Sequence, residues 1–218
     1  MKAVIVADGD HAPADRGVLA DAQLIIAADG GAEWLDAQGI TPHLVVGDLD
    51  SADPALVDRL AAAGVPIERH PIGKDASDLE LGVEAARKGS ADDIVVLGAL
   101  GGALDHLLAN VLLLCSAPLA GRSIRLVHGS TSARLLTGPA EAQLDGPPGA
   151  RVSLLALGAA ARGVTTRGLR WRLAADRLEL GSSRGLANVV DALPAAVSLV
   201  AGQLLVVEDA GGEKENKA

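Results

Sequence analysis

Residues 94–106 read IVVLGALGGALDH, an apolar run that stops at two glycines, an acid and a histidine. Two further stretches repeat the pattern, LIIAADGG at 24–31 and LVVGDLDS at 44–51. Short Val/Ile/Leu runs of this length read as buried strands, and acids at their exits do nothing for a core. In an open α/β sheet, the carboxyl ends of the strands are where ligands bind. Carboxylates gathered on one edge repel each other unless a cation sits among them. The cation that suits hard oxygen donors beside phosphates is Mg²⁺.

Working outward from these stretches, the first 128 residues alternate apolar runs with Ala-rich amphipathic ones. Strands are expected at 3–7, 24–28, 44–46, 65–68, 94–97 and 124–127, with helices at 16–21, 32–38, 54–63, 77–88 and 105–117. This alternation predicts an α/β fold, a mainly parallel sheet with helices on both faces in a Rossmann-like three-layer arrangement. After His128 the rhythm shortens, with strand-length runs at 134–137, 141–144, 151–157, 163–166, 169–173, 177–180, 196–200 and 204–207. Gly or Pro punctuates them, the mark of an all-β sandwich or small barrel. The expected domains are 1–130 and 131–210, followed by a polar, frayed tail at 211–218.

Composition narrows the functions. A formal net charge of -9, from 28 acidic and 19 basic residues, is the wrong sign for a nucleic-acid footprint. It leaves room for an anionic nucleotide, because a metal supplies positive charge locally. One cysteine, Cys115, excludes a disulfide scaffold and reads as a small core side chain. The start, MKAVIVAD, turns acidic too soon for a signal peptide, and no run approaches ~18 apolar residues, so no membrane span and a cytoplasmic location are expected.

Four groups of residues could carry chemistry. Asp48 and Asp50, two apart on an extended segment, would face the same side and share one ion, with Ser51 placed to cap the next helix. Lys74, Asp75, Ser77 and Asp78 open a helix; Ser77 or Asp75 reads as a cap, Asp78 as a group facing the crevice, and Lys74 as a phosphate contact. Gly101 and Gly102, followed by Asp105 and His106, resemble a phosphate-approach loop ahead of a helix. In the second half, Leu169, Trp171 and Leu173 alternate with Arg170 and Arg172. Taken alone, that pattern is a half-buried strand with Trp171 in the core.

Together the segments ADGGAEWL (28–35), GDLDS (47–51), KDASDLE (74–80), GALGGALDHLLANVLLL (98–114), GLRW (168–171) and SSRGLAN (182–188) resemble, in order, those of the thiamine pyrophosphokinase (thiamine diphosphokinase) family. The resemblance implies an α/β nucleotide domain followed by a β-sandwich. It implies a homodimer with active sites between subunits, and transfer of diphosphate from ATP to the thiamine hydroxyl with release of AMP. By the same resemblance Asp48, Asp50, Asp78 and Asp105 hold Mg²⁺ and the triphosphate. Asp29, Gly30, Gly31, Lys74, Ser77, Gly101, Gly102 and His106 lie on the ATP side. Trp171 stacks on the vitamin, while Ser183 and Asn188 bond its pyrimidine. Two positions depart from the family pattern: Ala103 replaces a usual Arg, and Ala187 a common Ser. Diphosphate transfer to another acceptor such as a hydroxymethyl-pterin, or a thiamine or nucleotide sensor without turnover, are alternative readings of the same acids.

Overall fold

The computed structural model describes residues 1–50, 52–116 and 121–211. They divide into two compact units, one from Met1 to Gly129 and one beginning at Ser130. In the first unit, β1 (Lys2–Val6) leads through a 3-10 helix (Pro13–Leu19) to β2 (Leu24–Ala28), α1 (Gly31–Ala37) and β3 (Leu44–Gly47). Then come α2 (Pro54–Ala62), β4 (Ile67–Arg69), α3 (Asp78–Lys88), β5 (Asp93–Leu97), α4 (Leu104–Leu113) and β6 (Ser123–His128). The strands lie in the order β4-β3-β2-β1-β5-β6, every neighbouring pair parallel. Val4, Ile5 and Val6 are consecutive and fully buried, as are Ile94 to Leu97, so both sheet faces are covered.

Because all six strands point one way, their carboxyl ends share one edge. The chain builds outward from β1 to β4, then returns to lay β5 on the other side of β1. The order therefore reverses between β1 and β5, which is where a crevice opens in such sheets. Helices α3 and α4 both start at this edge. Ser77 caps α3 through a reciprocal pair: its Oγ accepts from the Glu80 N–H (3.2 Å), and Glu80 accepts from the Ser77 N–H (2.7 Å). Asp53 caps α2 by accepting from the Ala55 N–H; Ser51, the expected cap, lies outside the described residues, as does Ala117.

Two local expectations differ. The helix expected at 16–21 is a 3-10 turn shifted towards Pro13, which presets its first residue, while Gly17 weakens a longer α-helix. The strand expected from Val65 begins at Ile67, because the Val65 N–H turns back onto the Leu60 carbonyl and Pro66 has no N–H to give.

The second unit holds β7 (Thr131–Thr137), β8 (Ala140–Gln143), β9 (Arg151–Arg167), β10 (Asp176–Leu178), β11 (Asn188–Val189), β12 (Ala196–Leu199) and β13 (Ala201–Asp209). They run β7-β13-β9-β12-β8, with β10 and β11 also on β9, and the pairings are antiparallel. The runs expected at 151–157 and 163–166 are one 17-residue strand. Gly158 and Gly163 sit inside it and bend it without ending it. Its first half pairs with β13, its second half with β12.

The strand expected at 169–173 is absent. Leu169 makes one bridge to Val190, and the chain then loops. The loop closes on Thr166, whose N–H donates to the Leu173 carbonyl while its Oγ1 accepts from the Leu173 N–H. Leu169 and Leu173 turn inward, but Trp171 is 57% exposed, which corrects the reading of a core tryptophan. Among the described residues no helix is long and apolar enough to cross a membrane.

Candidate active site

The acids at the strand exits meet in the first unit. Asp29 follows β2 with a left-handed backbone (φ 48°), and its N–H donates to the Val46 carbonyl, which extends the β2–β3 ladder by one rung. Asp48 follows β3, and Asp78 is the first residue of α3. One carboxylate oxygen from each of Asp29, Asp48 and Asp78 lies within 4.8 Å of the other two. Mg²⁺ takes hard oxygen ligands of this kind, so the three carboxylates suit such an ion in number and chemistry.

A cation already belongs to the cluster. Lys74 Nζ lies 2.6 Å from Asp48 Oδ2 and 2.9 Å from Asp78 Oδ1. Its hydrogen bond holds the Asp48 carboxyl below the usual carboxylate range. Burial alone would lower the Lys74 pKa; the bonds from Asp48 and Asp78 outweigh it and raise it. The Asp48 N–H also donates to Asp78 Oδ1 (3.2 Å), binding the β3 exit to the start of α3.

Gly47 makes this approach possible. Its φ of +148° is a conformation that L side chains rarely adopt, and a Cβ there would stand 3.0 Å from Asp78 Oδ1 and 3.3 Å from Asp29 Cα. Asp50 is exposed, and its N–H reaches Asp48 Oδ1 at 3.4 Å. The charge on Asp48 pushes the Asp50 carboxyl above its ordinary pKa. The expected i, i+2 geometry is not what aligns this pair. Leu49 between them has φ 59°, so the segment turns instead of running extended.

A cleft adjoins the cluster, lined by Asp8, Asp29, Ser77, Asp78, Gly101, Gly102, Ala103, His106 and Asn110 among others. Gly30 and Gly31 start α1 beside it, Gly30 close against the Asp8 carboxylate. Asn110 anchors α4 to the exit of β5 by donating to the Ala99 carbonyl (3.1 Å). Asp105 is not brought into the carboxylate group. It is exposed in the first turn of α4, where its Oδ1 accepts from the neighbouring His106 N–H.

Asp8 was not expected. It stands at the exit of β1, and burial, then the charges of Asp29 and Glu33, raise its carboxyl pKa. Its signal was legible, since VIVAD (4–8) is an apolar run ending in an acid like the other three. Asp10 is a second addition, its Oδ2 accepting from the Gly102 N–H at 3.2 Å. His11 stacks on Trp34 with ring centroids 4.3 Å apart, and its Nε2–H donates to the Ala7 carbonyl.

In the second unit, Trp171 projects from its loop with the Arg170 guanidinium 5.7 Å from the ring centroid. Ser183 is exposed at a turn, its carbonyl accepting from the Leu186 N–H. Asn188 is buried, 6% exposed, with its amide bonded to the Trp171 backbone.

Acids at the carboxyl edge of a parallel sheet, beside a glycine-lined cleft, define the class: an α/β protein with a carboxylate cluster at the edge where ligands bind in open sheets. The family model described as "Thiamin pyrophosphokinase, catalytic domain" matches residues 16–127, and "Thiamin pyrophosphokinase, vitamin B1 binding domain" matches residues 141–204. Thiamine pyrophosphokinase 1 of Oryza sativa subsp. japonica is 28% identical over 199 residues, covering 78% of this chain and 73% of the relative. The crystal structure of thiamine pyrophosphokinase from Bacillus subtilis superposes with a TM-score of 0.86 at 26% identity, covering 96% of this chain and 99% of the other. That from Geobacillus thermodenitrificans gives 0.84 at 25% identity, covering 99% of each. The chain belongs to the thiamin pyrophosphokinase family, and it is an enzyme.

Proposed function

We propose that the chain transfers the diphosphate of ATP to the hydroxyl of thiamine, giving thiamine diphosphate and AMP. The observation that carries this reading is the convergence of Asp29, Asp48 and Asp78 around Lys74 at the carboxyl edge of the parallel sheet. Asp48, Asp78 and Asp29 would hold Mg²⁺, with Asp50 beside them. Bound there, the ion would offset phosphate charge as it develops. Lys74 is poised to exchange a carboxylate for a phosphate oxygen. The glycines at 101 and 102 let backbone N–H groups approach the phosphates, and Ser77, Gly30, Gly31 and His106 line the ATP side. Asp105, exposed and apart from the other acids, supports a contact to the ligand more than one to the ion.

The remaining chemistry is positioning. The acceptor hydroxyl has to lie in line with the β-phosphorus, and a carboxylate of the cluster accepts its proton. We read the second unit as a β-sandwich that binds the vitamin, with Trp171 stacking on the cationic thiazolium and Ser183 nearby. That the ring already attracts a guanidinium supports a cation-binding face. A homodimer is supported by α4. Leu104, Leu108 and Leu112, four apart on one helix face, are 70%, 50% and 58% exposed.

The deciding experiment follows AMP release from ATP and Mg²⁺ on addition of thiamine. AMP formed in proportion to thiamine supports the transfer. Binding of thiamine without AMP would make the chain a sensor, and AMP formed only with a hydroxymethyl-pterin would make it a transferase for another acceptor.

A further inference from the structure

The loop between β5 and α4 has little of its own to hold it. Gly101 (φ +127°) and Gly102 (φ +69°) both adopt backbone conformations that L side chains rarely take. Glycine also loses more conformational freedom on ordering than any other residue. Ala103, the N-cap of α4, makes no side-chain bond to the helix start. An anchor arrives instead from the neighbouring strand exit. Asp10, which follows β1, accepts from the Gly102 N–H through Oδ2 (3.2 Å). The same carboxylate rests on the bare Cα of Gly101, where a Cβ would stand 2.6 Å from Asp10 Oδ2. One side chain therefore bears on both glycines, across the place where the strand order reverses.

We infer that Asp10 is a positioning residue that acts through Gly102, setting the Gly101–Gly102 loop before the phosphates of ATP arrive. The inference rests on the proposed reading of that loop as a phosphate contact. Three observations support it. The backbone that carries Asp10 is itself fixed: its carbonyl accepts from His128 Nδ1–H at the end of β6 (3.2 Å). Just before it, Gly9 passes so close to the β5 exit that a Cβ there would stand 2.1 Å from the Gly98 carbonyl oxygen. Just after it, His11 is tied to the Ala7 carbonyl (3.0 Å) and stacked on Trp34. Gly101 and Gly102 line the cleft, whereas Asp10 is not among the residues that do. A carboxylate is a poor direct partner for phosphates, since like charges repel, so its use lies in the loop it holds. A loop set in advance loses less freedom when a ligand binds.

The test compares Asp10→Asn with Asp10→Ala. Both remove the negative charge, but only D10N keeps an oxygen that can accept from the Gly102 N–H, so their difference isolates the anchor from the charge. Asp10 is exposed, so neither substitution takes a contact from the core. Amide hydrogen exchange is read at Gly102, ATP affinity by calorimetry with Mg²⁺ and no thiamine, and thiamine KM from AMP release. The Gly102 amide should exchange faster in D10A than in D10N. The Kd for ATP should be about fivefold weaker in D10A than in D10N, as befits one lost hydrogen bond, with thiamine KM the same in both. Equal exchange, or equal ATP affinity, in the two variants would overturn the inference. So would tighter ATP binding in D10A, which would make Asp10 a competitor for the N–H instead of its anchor. A thiamine KM raised as much as the Kd for ATP would also overturn it, as a sign of general loosening. If the unaltered chain binds no ATP, the proposed function falls and this inference with it. If ATP binds with the expected difference but no AMP is released, only the transfer falls and the anchor stands.

Discussion

Replacing Gly47 by Ala tests the architecture of the acid cluster more directly than removing any one acid. The added methyl meets two separate obstacles. At φ +148° a non-glycine residue carries backbone strain of about 1–3 kcal/mol. The Cβ would also stand 3.0 Å from Asp78 Oδ1 and 3.3 Å from both Cα and Cβ of Asp29, so one of them must shift by a few tenths of an ångström. Overpacking of that kind costs roughly 1–3 kcal/mol. The expected loss is about 3–4 kcal/mol, or ~10 °C of Tm for a chain of this size. Gly64→Ala is the control, because Gly64 has φ +85° with nothing within 4 Å of a Cβ and so reports strain alone, about 1–2 kcal/mol. Thermal melts of both variants give the difference that belongs to the contact. Because the displaced groups are Asp78 and Asp29, kcat for AMP release should also fall about tenfold in the Gly47 variant and stay normal in the control. If the Gly47 variant melts no lower than the Gly64 variant, or turns over normally, the packing argument is wrong.

Three further outcomes are expected. Asp48→Asn and Asp78→Asn should each lower kcat by about 100-fold or more with Tm nearly unchanged, measured by steady-state kinetics across Mg²⁺ concentrations; full activity in either removes it from the ion site. His11 sits below its ordinary pKa of 6.5, chiefly through burial, so the unfolded chain binds the proton more readily. Stability from this residue is therefore complete above pH 6.5 and falls as pH drops below it. The urea midpoint should decline from pH 7.5 to 5.5 less steeply in His11→Gln than in the unaltered chain, and equal declines would refute the assignment. Leu108→Glu with Leu112→Glu should convert a dimer to a monomer in sedimentation velocity, whereas an intact dimer would place the interface elsewhere.

Much of the first unit was legible because a parallel sheet writes itself as unbroken apolar runs: β2 falls on Leu24–Ala28 as read, and β5 and β6 within a residue at either end. Asp29 and Asp48 were legible because an acid just after such a run has no structural use, and Asp78 because it opens a helix that can face the same crevice. Asp8 obeys the same rule, standing directly after the strand expected at 3–7, but a single acid beside the termini of that run carries no motif to set it apart. The i, i+2 reading of Asp48 and Asp50 failed because periodicity assumes extended backbone, and Leu49 is left-handed. Trp171 illustrates a limit of alternation: Leu169 and Leu173 are buried as the pattern requires, yet the backbone between them loops. The partner that holds that loop, Asn188, lies 17 residues away, a distance over which local pattern carries no information.

Strand β9 has a consequence for the whole second unit. One continuous peptide supplies neighbours to β13 at one end and to β12 at the other, and Thr166 near its far end anchors the loop bearing Trp171. Neither half can melt privately. A flaw introduced at Val152 or Leu154 would travel along this shared rod and loosen an aromatic ring it never touches, so vitamin affinity should be heritable through residues that have no view of the ligand.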